Sequence, residues 1–93
     1  MKDAFLKMGK FSVEVMPDAS AKGHLRKLKL EADEAIENQK DIFEYADCLL
    51  CIFAAVYKSG FTFDDLKKAT NEKVDILKNR KWKKTDDDLY QHV

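Results

Sequence analysis

Four acidic residues stand out as two pairs, Glu31-x-x-Glu34 and Glu44-x-x-Asp47, with nine residues between the pairs. On a helix, positions i and i+3 share a face, so each pair projects together. The second pair ends inside the most apolar stretch of the chain, Tyr45 to Tyr57, where Asp47 is the one charged residue. An ionised carboxylate is costly to bury without a partner. No single cation in the sequence obviously serves all four acids. The short Asn38–Lys40 link predicts an antiparallel helix hairpin, in which the two pairs face each other across the gap. Left empty, such a cluster repels itself and some members take up protons. About one to three Mg²⁺ ions held by carboxylates and water would remove that repulsion. A site of that kind points to phosphate chemistry. The competing reading is plainer. Glu31 and Glu34 on a charged helix can mark a solvated face, and Glu44 can be only an N-terminal cap. Asp47 resists that reading, because Phe43, Leu50 and Ala54 share its stripe.

Three further residues are candidates for binding an anionic substrate. Lys73 lies one heptad past Leu66, toward the inner stripe of the last predicted helix, where it either reaches a phosphate or snorkels as an ordinary lysine. Arg80 is suited to clamp a phosphate. Trp82 either stacks on a base or packs as a core anchor. His24 and His92 are isolated and lack zinc-like spacing. There is no glycine-rich phosphate loop and no nucleophile elbow. Cys48 and Cys51 form a C-x-x-C, but their neighbours Leu49, Leu50 and Ile52 favour buried free thiols over redox or zinc chemistry.

These residues need elements to hold them. A chain of 93 residues makes a single domain over 1–93, with a modest core that often gains from a partner subunit. Three glycines and one proline favour long helices over a turn-rich β fold. Residues 1–19 are ambiguous: Phe5, Met8 and Phe11 suggest a helix, whereas Ser12-Val13-Glu14-Val15 alternates like a strand. After a break at Pro17–Ser20, with Asp18 or Ser20 as cap, a helix is predicted to Asn38 with Leu25, Leu28, Ala32, Ala35 and Ile36 on its apolar face. Asp41 caps the next helix, with Glu44 completing a capping-box-like pair. That helix runs to about Ser59, where Gly60 suits the C′ position. Thr62 caps a third, with Leu66, Ala69, Thr70, Val74 and Leu77 inward, ending near Arg80–Trp82. Residues 83–93 read as a polar tail containing Asp86-Asp87-Asp88. The predicted fold is therefore all-α, a bundle of three to four helices.

Basic and acidic residues balance at 17 each, which argues against a nucleic-acid coat or a membrane-surface binder. Met1–Phe11 lacks the apolar core of a signal peptide, and Tyr45–Tyr57 is too short to span a bilayer. With free thiols, a reducing cytoplasm is expected.

The E-x-x-E…E-x-x-D pattern at Glu31, Glu34, Glu44 and Asp47 resembles the signature of the all-α, MazG-like nucleoside triphosphate pyrophosphohydrolases. Phe61-Thr62-Phe63-Asp64-Asp65-Leu66, then Lys73, then Asn79-Arg80-Lys81-Trp82, resembles the small dATP/dGTP branch of that superfamily, as does the closing Tyr90-Gln91-His92-Val93. The resemblance runs from about Leu25 to Val93. One departure is Leu77, where members often carry an asparagine; any role of that residue in holding metal or phosphate is then lost or moved to Asn79.

The resemblance implies hydrolysis of a nucleoside triphosphate, dATP or dGTP, between its α and β phosphates. It implies Mg²⁺, with Mn²⁺ as a substitute, held by all four acids, with Glu34 orienting or deprotonating the attacking water. Lys73 and Arg80 would hold the phosphate tail, and Trp82 would belong to the substrate site. It also implies a homodimer or homotetramer that completes the bundle. Two other readings remain open from the residues: a non-catalytic helical interaction module, and a nucleotide sensor without turnover.

Overall fold

The computed structural model describes residues 1–93, and side chains cap the starts of two of its helices. Four helices follow one another, α1 (Lys2–Val15), α2 (Ala21–Glu37), α3 (Ile42–Lys58) and α4 (Phe63–Lys78), and the chain ends in two short strands, β1 (Trp82–Lys84) and β2 (Tyr90–His92). Contacts divide it into two compact units, Met1–Phe63 and Asp64–Val93.

In the first unit, the ambiguous N-terminal segment is helical throughout, Val13–Val15 included. Its buried residues, Phe5, Gly9 and Ser12, follow helical rather than strand spacing and settle the matter. Phe11, one of the three residues whose spacing suggested a helix, is half exposed. Ser12 Oγ donates to the Gly9 carbonyl at 2.9 Å, which satisfies a buried hydroxyl. Gly9 is also where α1 meets α3. A Cβ built on it would lie 2.2 Å from the Tyr57 ring, so no larger residue fits without movement.

Ser20 begins α2: its Oγ accepts from the Gly23 N–H at 3.1 Å. The buried stripe of α2 differs from the predicted one. His24 and Ala35 are buried, while Leu25 and Ile36 are exposed. The helix is rotated so that the buried stripe runs His24, Leu28, Glu31 and Ala35, with Glu31 and Leu28 partly covered. The link to α3 is held by local bonds, with the Asn38 amide on the Glu34 carbonyl and Tyr45 Oη on the Gln39 carbonyl at 3.0 Å.

Asp41 caps α3 by accepting from the Phe43 N–H at 2.9 Å. The capping box does not form: the Asp41 N–H donates to the Asn38 carbonyl instead. At its far end α3 closes in a Schellman motif. Phe61 N–H reaches the Val56 carbonyl, Gly60 N–H reaches the Tyr57 carbonyl, and Gly60 adopts φ +89°. The second half of α3 is the core, with Cys51, Phe53, Ala54 and Ala55 buried. Phe5 and Phe53 meet edge to face with ring centres 5.5 Å apart, and Tyr57 and Phe63 extend the cluster. The first half is different, since Ile42 and Phe43 stand about three-quarters exposed.

In the second unit, α4 has no buried residue. The predicted inner stripe instead lines a shallow apolar groove of Ala69, Thr70, Lys73, Val74 and Leu77. The expected polar tail is a β-hairpin, pairing Trp82 with His92, Lys83 with Gln91 and Lys84 with Tyr90. The three aspartates form its turn. Asp88 takes a positive φ of 63°, the left-handed position such a loop requires and aspartate tolerates. Thr85 Oγ1 braces the turn through Asp87 and the Leu89 carbonyl. No single helix is long and apolar enough to cross a membrane.

Candidate metal centre

Glu31 and Glu34 lie on α2, and Glu44 and Asp47 on α3. These helices form the most extensive helix pair of the chain, and the four-residue link obliges them to run antiparallel. The expected convergence is seen for three of the acids. One carboxylate oxygen each from Glu31, Glu44 and Asp47 lies within 4.8 Å of the others. Glu34 stands outside that triad, exposed, but shares a side-chain hydrogen bond with Glu31. That bond, then the charge of Glu31, raises the Glu34 pKa above its ordinary value of 4.5.

The burial falls on other members than expected. Asp47 is exposed, because the start of α3 turns its apolar stripe partly to solvent. Glu44 carries the burden instead. Its Oε2 is shut off from solvent with no hydrogen-bond partner. Removal from water, then the charge of Glu34, raises its pKa. A buried carboxylate oxygen without a donor is unfavourable as it stands. A cation among these oxygens would satisfy it. The donors are all carboxylate oxygens, which suits a hard divalent ion such as Mg²⁺ or Mn²⁺.

Two neighbours of the cluster were not placed beside it by the sequence reading. Lys27 Nζ sits 3.3 Å from Glu31 Oε1, a pairing the i, i+4 spacing had offered. Cys51 is a buried free thiol; its pKa is raised by burial first and then by Glu31. The expectation of unpaired thiols holds for Cys48 as well.

Lys73, Arg80 and Trp82 belong to the second unit. Lys73 is exposed on the α4 groove, and Arg80 is half-buried just past the helix. Trp82 is 42% exposed, so it is not a core residue. Its Nε1 donates to the Leu77 carbonyl at 2.9 Å, and its ring meets His92 edge-on. Asn79 Nδ2 donates to the Asp75 carbonyl at 2.9 Å, which engages the amide in ending α4.

The four-helix order that carries this carboxylate cluster on consecutive helices has a counterpart among solved structures. The fold is shared with a solved cyanophage S-2L MazG-like pyrophosphohydrolase bound to dGDP and three catalytic Mn²⁺ ions per active site. The match has a TM-score of 0.81 at 24% identity and covers 98% of this chain and 94% of that one. A family model for dATP/dGTP pyrophosphohydrolase matches residues 4–92. The chain belongs to that family, and is by membership a nucleotide pyrophosphohydrolase. The match takes in α1, where the sequence alone offered no resemblance. Among curated proteins, none matches the chain.

Proposed function

We propose that this protein hydrolyses a deoxynucleoside triphosphate, dATP or dGTP, to the monophosphate and pyrophosphate in a Mg²⁺-dependent reaction. The observation that carries the reading is the meeting of Glu31, Glu44 and Asp47 oxygens within 4.8 Å. Glu31, Glu44 and Asp47 would hold the metal, with Glu34 at their edge. Divalent ions there would offset triphosphate charge and make water easier to deprotonate.

Water attacks the α-phosphorus, a new P–O bond forms, and the bond to the bridging oxygen breaks, releasing pyrophosphate. Glu34, the carboxylate at the edge of the triad, would take the water proton. Lys73 and Arg80 hold the phosphate tail as cations, and Trp82 offers a half-exposed ring to the base. No covalent nucleophile takes part.

A homodimer or homotetramer is part of the proposal. Its support is the uncovered apolar surface: α4 buries nothing, and Ile42 and Phe43 are widely exposed. A balanced charge of 17 against 17 supports free nucleotide rather than nucleic acid as substrate. Free thiols support a cytoplasmic setting.

The test is a pyrophosphate-release screen over the deoxynucleoside triphosphates, with Mg²⁺ and with Mn²⁺. Release from a purine triphosphate, dependent on metal, is the expected result. No release from any of them by a metal-loaded protein defeats the proposal, and binding of dGTP without turnover would favour a nucleotide sensor.

A further inference from the structure

Lys27 precedes Glu31 by one turn of α2, and the ion pair between them is lopsided. The Glu31 side chain is 12% exposed, while that of Lys27 is 58% exposed, at an Nζ–Oε1 distance of 3.3 Å. An ion pair with both ends in water contributes little. Here the acidic end sits among Glu44 and Asp47 and is hydrogen-bonded to Glu34. Four acids share the region, and Lys27 reaches in from the solvent edge on a flexible stem. The other lysine pair of the chain, Lys68 with Glu72, has both ends exposed at 4.0 Å.

We propose that Lys27 is a tethered stand-in for the divalent ion: it neutralises Glu31 while the cluster is metal-free and yields that carboxylate when metal enters. The inference rests on the carboxylate cluster being the metal centre. An ammonium and a divalent ion drawing on one carboxylate lie close enough to repel each other. The divalent ion draws on three carboxylates and Lys27 on one, so Lys27 gives way. Whatever Lys27 contributes to the metal-free protein is then subtracted from metal binding, by linkage. Lys27 is thus a positioning residue. It holds the Glu31 carboxylate in place, and it weakens metal affinity. Once released, it is a mobile cation at the solvent-facing rim of the site, placed to meet an anionic ligand.

The experiment is a calorimetric Mn²⁺ titration of the full chain, with melting curves of the metal-free and Mn²⁺-saturated forms. The variants are Lys27→Met, Lys27→Arg and, as a control, Lys29→Met, an exposed lysine of the same helix. Lys27→Met is expected to bind Mn²⁺ about two- to fivefold more tightly. Its metal-free form should melt earlier than wild type, and its Mn²⁺-saturated form should melt with wild type. Lys27→Arg and Lys29→Met should stay near wild-type affinity. Loss of a merely structural contact would not tighten metal binding. Unchanged or weaker affinity in Lys27→Met overturns the inference, as does equal tightening in Lys29→Met. Absence of Mn²⁺ binding by the wild type overturns the metal centre and this inference together. Intact wild-type binding with no response to Lys27→Met overturns this inference alone.

Discussion

The α carbon of Gly9 in α1 lies against the ring of Tyr57 in α3, so closely that an added methyl would stand 2.2 Å from Cδ2. The first helix is thereby seated on the core helix through an absent side chain. Gly9→Ala is expected to destabilise the protein by about 1–3 kcal/mol through overpacking, despite the better helix propensity of alanine. Denaturant melts of Gly9→Ala and of Gly9→Ala with Tyr57→Leu test this. The double variant should recover part of the loss, because the obstructing ring is gone.

Glu44 separates the cost of crowding the acids from the use of the cluster. In Glu44→Gln the metal-free protein should melt no lower than wild type, since one charge leaves a repelling group. The rise in melting temperature on adding Mn²⁺ should shrink, and pyrophosphate release should fall by about 100-fold or more. A variant that loses stability in both forms but keeps turnover would assign Glu44 to the scaffold.

In the metal-free protein, Glu34 and Glu44 should contribute to stability in the sense opposite to ordinary acid unfolding. Glu34 and Glu44 are both raised above 4.5 in the folded state, Glu34 first by its bond to Glu31 and Glu44 first by burial. Between 4.5 and the raised folded values, the native state binds more protons than the unfolded chain. Their contribution is fully present below 4.5 and is lost as pH rises through the folded values. Subtracting the melting profile of Glu44→Gln from that of wild type isolates the Glu44 share. The difference should favour wild type more at the acidic end. With Mn²⁺ saturating, the stabilisation by metal should grow with pH, because the ligands must be deprotonated.

Trp82 joins the C-terminal hairpin to the end of α4 through its Nε1 bond to the Leu77 carbonyl. Trp82→Phe keeps a ring and removes the donor. A loss of about 0.5–1.5 kcal/mol is expected, with faster amide exchange at Val93, whose N–H bonds the Lys81 carbonyl. Unchanged exchange there would show that the strand pairing alone holds the hairpin.

Local chemistry was legible in the sequence and rotation was not. Ser20, Asp41 and Gly60 mark helix ends by bonds to residues two to four positions away, so they can be read without the fold. The i, i+3 spacing of the acids likewise announced the cluster. Which acid is buried depends on how α3 turns against α2, and the apolar company of Asp47 misled there: Glu44 is covered and Asp47 is open. Val13 and Val15 read as strand because β-branched residues favour it, but tertiary packing of Phe5, Gly9 and Ser12 overrode that preference. The hairpin was missed because each strand has only three residues, with no buried face to impose alternation. Lys27 was visible at i, i+4 from Glu31, yet surface pairs of that spacing are too common to single one out.

The link from Asn38 to Asp41 leaves the two acid-bearing helices adjacent in sequence as well as in space. The acids therefore come together by closing one short loop, a fast step with little entropic cost. Hydrogen-exchange pulse labelling during refolding should find this segment protected ahead of the C-terminal third, and a nascent chain released at residue 63 should already hold its acids face to face.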